Sequence, residues 1–124
     1  MTIKELYEYI GGDYEQAMRV LRVEKLIDKH VCKFPQNGVV EGLLEAGDGM
    51  DPAKLFDAAH AMKGVCANLG LKNLADAASE ITEEYRPGRE RRLSDAEVKA
   101  RIEGIRKTYE RVSEGIRTYE EAKS

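Results

Sequence analysis

Val98, Ile102, Ile105, Tyr109, Val112, Ile116 and Tyr119 follow one another at strictly alternating spacings of four and three. This is a heptad seam, and an α-helix is the structure that gathers residues so spaced onto one side. A long helix with one apolar stripe must bury it, either against helices of its own chain or against a second chain. Gly104 and Gly115 interrupt the run. A glycine inside a helix costs about 0.5–1 kcal/mol relative to alanine, which weighs against a freestanding coiled coil and favours an intramolecular bundle.

The rest of the chain also reads as helices. Turn signals fall at Gly11-Gly12-Asp13, Gly47-Asp48-Gly49, Gly70 and Pro87-Gly88, and no stretch between them alternates as a strand. Thr2 caps a short first helix ending near Ile10, and Asp13 caps a second whose expected buried stripe is Val20, Val23, Ile27, Val31 and Phe34. Pro35 breaks or kinks that helix. Helical spacing resumes through Val39, Val40, Leu43 and Leu44, as a continuation or as a separate short helix; both stay open. Asp51-Pro52 pairs a capping side chain with a proline at the first helical position. The helix begun there ends near Gly70, and the next buries Leu74, Ala77, Ala78, Ile81 and Tyr85 before Pro87, so the two should form an antiparallel hairpin. The basic run Arg86-Pro87-Gly88-Arg89-Glu90-Arg91-Arg92 reads as a solvated, mobile linker, with a phosphate or acidic-partner site as the minority reading.

The length of 124 residues fits one domain spanning residues 1–124, and 42% hydrophobic with 35% charged residues and no Trp suits a helical bundle. A net charge of −3 argues against general affinity for nucleic acid or acidic membranes. Charges stand where a signal peptide would carry its apolar core, and no apolar run approaches membrane-spanning length, so the expected compartment is the cytoplasm. Cys32 and Cys66 lack metal-ligand spacing and read as reduced thiols in or near the core.

His60 stands out against this background. At about 100° per residue, Leu55, Ala58, Met62, Val65 and Leu69 cluster on one side of its helix and His60 projects away from them. Phe56, Asp57, Lys63, Gly64 and Ala67 share its face, with Gly64 and Ala67 leaving space beside the ring. His30, the other histidine, lies near the edge of its own stripe and reads as a boundary residue with a satisfied ring nitrogen. The two histidines show no paired-ligand spacing, so a metal site is not expected. No nucleophile elbow and no phosphate-cradling Gly-rich loop appears, so neither hydrolase chemistry nor direct use of ATP is expected. What remains is an imidazole acting as its own nucleophile, which works near neutrality because such rings ordinarily titrate at about 6.5. A phosphoryl group on His60 would find Lys63 one turn away.

The run His60-Ala61-Met62-Lys63-Gly64, followed by Val65-Cys66-Ala67-Asn68-Leu69-Gly70, resembles the signature of the histidine-containing phosphotransfer (HPt) domain: His-x-Leu-Lys-Gly, then small residues ending in Leu-Gly. Met62 stands at the usual Leu. The similarity extends through the Gly-Gly-Asp start, the Phe-Pro interruption, the Leu-x-x-Gly-Asp segment and the helix carrying Leu74 and Glu80; the final segment matches as a helix of suitable length. The resemblance implies an all-α, antiparallel four-helix bundle with a short additional N-terminal helix. It implies that His60 takes a phosphoryl group from a receiver-domain phospho-aspartate and passes it to another receiver aspartate. Lys63 is then the charge partner of the phosphate, Gly64 the point of access, and Phe56, Asp57 and Ala67 the docking surface. Mg²⁺ belongs to the receiver, so no cofactor or metal is expected on this chain, nor any autonomous kinase activity. The expected partners are receiver domains of response regulators or hybrid sensor kinases, met by a monomer. The starting Met and the lack of linker composition lean towards a stand-alone carrier. Two other readings stay open: a docking adaptor that never carries phosphate, and an oligomeric scaffold built on the terminal heptads.

Overall fold

The computed structural model of the chain describes residues 1–123, and among them seven α-helices and no strand are found. α1 (Ile3–Tyr9) starts at Thr2, whose hydroxyl accepts the Glu5 N–H while the Glu5 carboxylate accepts the Thr2 N–H. α2 (Tyr14–Leu21) starts at Asp13, whose carboxylate accepts the Gln16 N–H. α3 (Glu24–Lys33) runs into a 3-10 turn at Phe34–Gln36, and α4 (Val39–Gly49) begins after Gly38, which has a φ of +90°. Pro35 therefore ends one helix, and the apolar residues beyond it belong to a separate one. α5 (Pro52–Asn68) is capped by Asp51, which accepts the N–H groups of Ala53 and Lys54. α6 (Lys72–Glu84) and α7 (Asp95–Lys123) complete the chain, with Ser94 and Glu97 forming a second reciprocal cap at the start of α7.

α5 packs against α4 on one flank and α6 on the other, and α7 closes against both α4 and α6. Along α7 the residues Val98, Ile102, Ile105, Val112, Ile116 and Tyr119 are buried within the chain. Tyr109 is half-buried: its ring meets Phe34 edge-on and its hydroxyl donates towards the Pro35 carbonyl and Glu41 Oε2, at 3.0 and 2.8 Å. The heptad seam is thus satisfied by the chain's own helices, and α1 adds to the cover where Gly115 leaves room for Ile10. Leu55 and Met62 of α5 are fully buried, each contributing about 1.5–3 kcal/mol by removal from water.

Four expectations about helix limits and faces are corrected. The second predicted helix is two, because Arg22 adopts a left-handed φ of +71° and Val23 turns extended, which re-aims the chain between α2 and α3. Val20 and Val23 consequently lie exposed, while Ala17, Ile27, Val31 and Phe34 fill the core. The Gly47-Asp48-Gly49 segment is helical: Gly47 is buried where α4 meets α7, a Cβ there would stand 2.9 Å from Ile102 Cδ1, and the chain turns at Met50 instead. Glycine serves close packing at that crossing. The core edge of α5 is Leu55, Ala59, Met62, Cys66 and Leu69, with Ala58 and Val65 only half-buried. α6 similarly buries Leu74, Ala75, Ala78, Ile81 and Thr82, leaving Ala77 half-buried.

The turn between α5 and α6 is held from the N-terminal side. The Tyr7 hydroxyl donates to the Leu69 carbonyl at 2.6 Å, and the Asp13 N–H donates to the Gly70 carbonyl at 2.7 Å. Gly70 has a φ of +67°, and a side chain there would collide with the Asp13 carbonyl. The end of the His60 helix is thereby anchored to the loop between α1 and α2.

Candidate functional site

His60 lies mid-way along α5, exposed, while Met62 two residues on is wholly buried. Helical period separates them, so the histidine's outward placement follows from residue order alone. No hydrogen-bond partner for the imidazole is found among the described residues. Its packing partner is Phe56, one turn earlier: the two rings are nearly parallel, 12° apart in plane, with centroids separated by 5.7 Å. A Cβ added at Gly64, one turn later, would meet nothing within 4 Å. Lys63 is half-buried and forms no ion pair among the described residues. An unpaired ammonium one turn from an unpaired imidazole is suited to receiving a dianion, since neither group must first give up a partner.

The remaining predicted site residues sit on different flanks. Asp57 is exposed on the α4 side, lining a groove of about 720 Å³ with Glu45, Asp51 and Lys54. Ala67 lines a smaller depression of about 210 Å³ bordered by Gln16, Lys72 and Asp76. His60 lines neither depression and stands on an exposed strip of α5 with Asp57 and Gly64, an arrangement fitted to a protein surface more than to a small substrate.

A third neighbour reaches this strip from beyond the end of α6. The Arg86 guanidinium lies 5.7 Å from the centroid of the Phe56 ring. Its position is set by Glu83, whose carboxylate accepts both Arg86 Nε at 3.0 Å and an Arg86 terminal nitrogen at 2.8 Å. Arg89 donates to the same carboxylate at 2.9 Å. The Arg86 hydrogen bonds, with the charges of Arg86 and Arg89, hold the Glu83 carboxyl at about 2, well below the usual range, against a weaker opposing effect of burial. From the sequence Arg86 appears only within the basic linker, with a phosphate site as the minority reading, and neither it nor Glu83 is connected with His60. The signal was present in the Glu83/Arg86 spacing of three, but the partner helix for Arg86 was not readable.

The basic linker is exposed as expected, yet it is tied down. Glu84 is buried, and its carboxylate accepts Arg91 Nε at 2.7 Å and the N–H groups of Arg92 and Leu93 at 3.0 and 2.9 Å. Burial alone would raise the Glu84 carboxyl; these donors overcome it and hold it below its ordinary value. Arg91 also stacks over the Tyr85 ring at 4.4 Å. The expectation for His30 is corrected as well: it is exposed on α3 and no hydrogen bond to its ring is found among the described residues. The buried residues of α3 are Ile27 and Val31, and His30 falls outside that stripe. Cys32 and Cys66 are free thiols, with burial pushing Cys66 up to about 12 and, aided by Asp28, Cys32 up to about 11. No cluster of His, Cys, Asp and Glu that could hold a metal ion is found among the described residues.

A family model, the Hpt domain, matches residues 22–115. The chain belongs to the Hpt domain family. Comparison with curated proteins and with solved structures returns no match. At the level of the family, an Hpt domain carries out histidine phosphotransfer in a phosphorelay and interacts with receiver domains. The matched part of this Hpt domain runs from just before α3 into α7 and includes His60, Lys63, Gly64, Glu83 and Arg86. α1 and α2 precede it. No helix among the described residues of the Hpt domain is long and apolar enough to cross a membrane.

Proposed function

We propose that the chain is a histidine phosphotransfer protein of a multistep phosphorelay, with His60 as the phospho-acceptor. The observation that carries this reading is the pairing of an exposed imidazole free of hydrogen bonds with an unpaired Lys63 and the open space at Gly64, all on one face of a helix anchored at both ends. A ring nitrogen of His60 attacks the phosphorus of a receiver's aspartyl phosphate; the N–P bond forms, the O–P bond breaks, the aspartate leaves as carboxylate, and the ring proton passes to solvent. Transfer onward to a second receiver is the reverse of the same step. Alignment and charge neutralisation supply most of the acceleration in such a reaction, so a rigid helix presenting one ring suffices when the receiver brings its acidic pocket and metal.

In this reading Lys63 balances the phosphate charge, Gly64 admits the receiver, and Phe56, Asp57 and Ala67 form the surface it covers. Residues 1–124 act as one unit in which α4, α5, α6 and α7 make an antiparallel four-helix bundle, working as a cytoplasmic monomer that itself holds no cofactor. The test is transfer from phosphorylated receiver domains to the wild type and to His60→Gln. Acid-labile label on the wild type alone supports the assignment; equal labelling of both proteins overturns it.

A further inference from the structure

Glu83 accepts two arginines, and two guanidiniums on one carboxylate leave one unit of positive charge uncompensated beside the Phe56 ring. Phe56 in turn stacks on His60, so this surplus charge sits within two ring contacts of the phospho-acceptor. We infer that Arg86 is a second cation of the phosphohistidine site, held on Glu83 while His60 is unmodified and shared with the phosphoryl group once it is attached. This rests on the phosphotransfer reading and deepens it.

Four observations support the hand-over. Arg86 and Glu83 are partly exposed, at 44% and 37% of their side-chain surface, so the pair can separate without opening the core. Arg89 remains on Glu83 when Arg86 leaves, so the carboxylate is not orphaned. The guanidinium fork suits phosphate oxygens as well as it suits a carboxylate, and a phosphoryl dianion carries twice the charge of Glu83. The grip of Glu84 on Arg91, Arg92 and Leu93 fixes the linker just beyond Arg86, which keeps its backbone at the end of α6 while the side chain moves. Lys63 and the surplus on the Glu83 cluster together match the dianion. Glu83 is thus a competitor that weakens the hold on the phosphoryl group and keeps it transferable.

The experiment uses potassium phosphoramidate, which needs no receiver. The imidazole nitrogen bonds to phosphorus, the P–N bond of the reagent breaks, ammonia leaves, and the displaced ring proton goes to solvent. Two readouts follow on wild type, Arg86→Ala, Arg86→Lys and Glu83→Gln: the half-life of the phosphohistidine, and the pH midpoint of its ³¹P resonance, which reports the second ring proton. A nearby guanidinium disfavours that proton. Arg86→Ala should therefore raise the midpoint and shorten the half-life about two- to fivefold, as expected for a partly exposed charge pair. Arg86→Lys should fall between it and wild type, and Glu83→Gln should move both readouts the opposite way, with unchanged helical circular dichroism throughout. The proposal is overturned if Arg86→Ala matches wild type in both readouts, if Glu83→Gln moves in the same direction as Arg86→Ala, or if wild-type His60 takes no label. If receivers transfer nothing to wild type while Arg86→Ala still shifts the resonance, the relay reading falls and the Arg86 assignment stands.

Discussion

The Phe56 ring covers one side of the His60 imidazole in a near-parallel stack, 5.7 Å between centroids and 12° between planes. The ring contact, added to helical geometry, limits how the imidazole turns and leaves its other side open above Gly64. Phe56→Ala removes that restraint. An aromatic pair of this kind is worth about 0.5–1.5 kcal/mol, so transfer from a receiver should slow about two- to tenfold, with a modest fall in the thermal midpoint because the half-buried ring also packs against the core. A large fall in stability with unaltered transfer would assign Phe56 to packing alone.

Lys63→Ala should slow phosphorylation of His60 or shorten the phosphohistidine lifetime, leaving the fold intact, because a half-exposed ammonium without an ion pair contributes about 0–1 kcal/mol to stability. Single-turnover transfer beside urea unfolding separates the two effects. Unfolding of the variant at ordinary temperature contradicts the geometry.

Gly64→Gln places a long side chain in the open space beside the imidazole while raising helix propensity by about 0.5–1 kcal/mol. The variant should be slightly more stable than wild type and bind receivers weakly or not at all. Titration calorimetry with a receiver that phosphorylates the wild type provides the check, and unchanged affinity would mean that Gly64 gives no access.

Glu83 makes stability depend on acid pH in a defined direction. Its carboxyl is lowered from 4.5 to about 2 in the folded chain, so its contribution is fully present above pH 4.5 and is lost as pH falls through the folded value. Between those limits Glu83→Gln should flatten the decline of the urea midpoint with falling pH, and added salt should shrink the difference because the pair is solvent-screened. Parallel curves for the two proteins at low salt would show that the ion pairs contribute nothing.

Gly70→Ala tests the anchor at the end of α5. The residue has a φ of +67° and faces the Asp13 carbonyl, so a methyl group there meets both backbone strain and a collision. Destabilisation of about 1–3 kcal/mol is expected, read from denaturant unfolding. A neutral result would mean that the loop between α1 and α2 does not brace the turn.

Much of the fold was legible because helical period and capping chemistry are local. Thr2, Asp13 and Asp51 cap the helices they were expected to cap, and the α7 stripe is buried nearly residue for residue. The errors arose where packing overrode a local signal. Gly47 reads as a turn residue, yet the close approach of Ile102 uses it inside a helix. Val20 and Val23 read as core, yet the left-handed Arg22 turns them outward, and a change of direction at a single residue leaves no periodic trace.

The placement of His60 required only the residues of α5. Along one helix the exposure of the ring, the burial of Met62 and the proximity of Phe56, Lys63 and Gly64 are consequences of a fixed angular step, so residue order alone determined them. Arg86 and Glu83 are different. Arg86, held by Glu83, comes to the Phe56 ring because α6 docks against α5 and the chain beyond it is pinned by Glu84, and contacts between helices depend on how whole surfaces fit. Sequence period places a side chain on its own helix; the charge that faces it from the next helix is settled only when the two are packed.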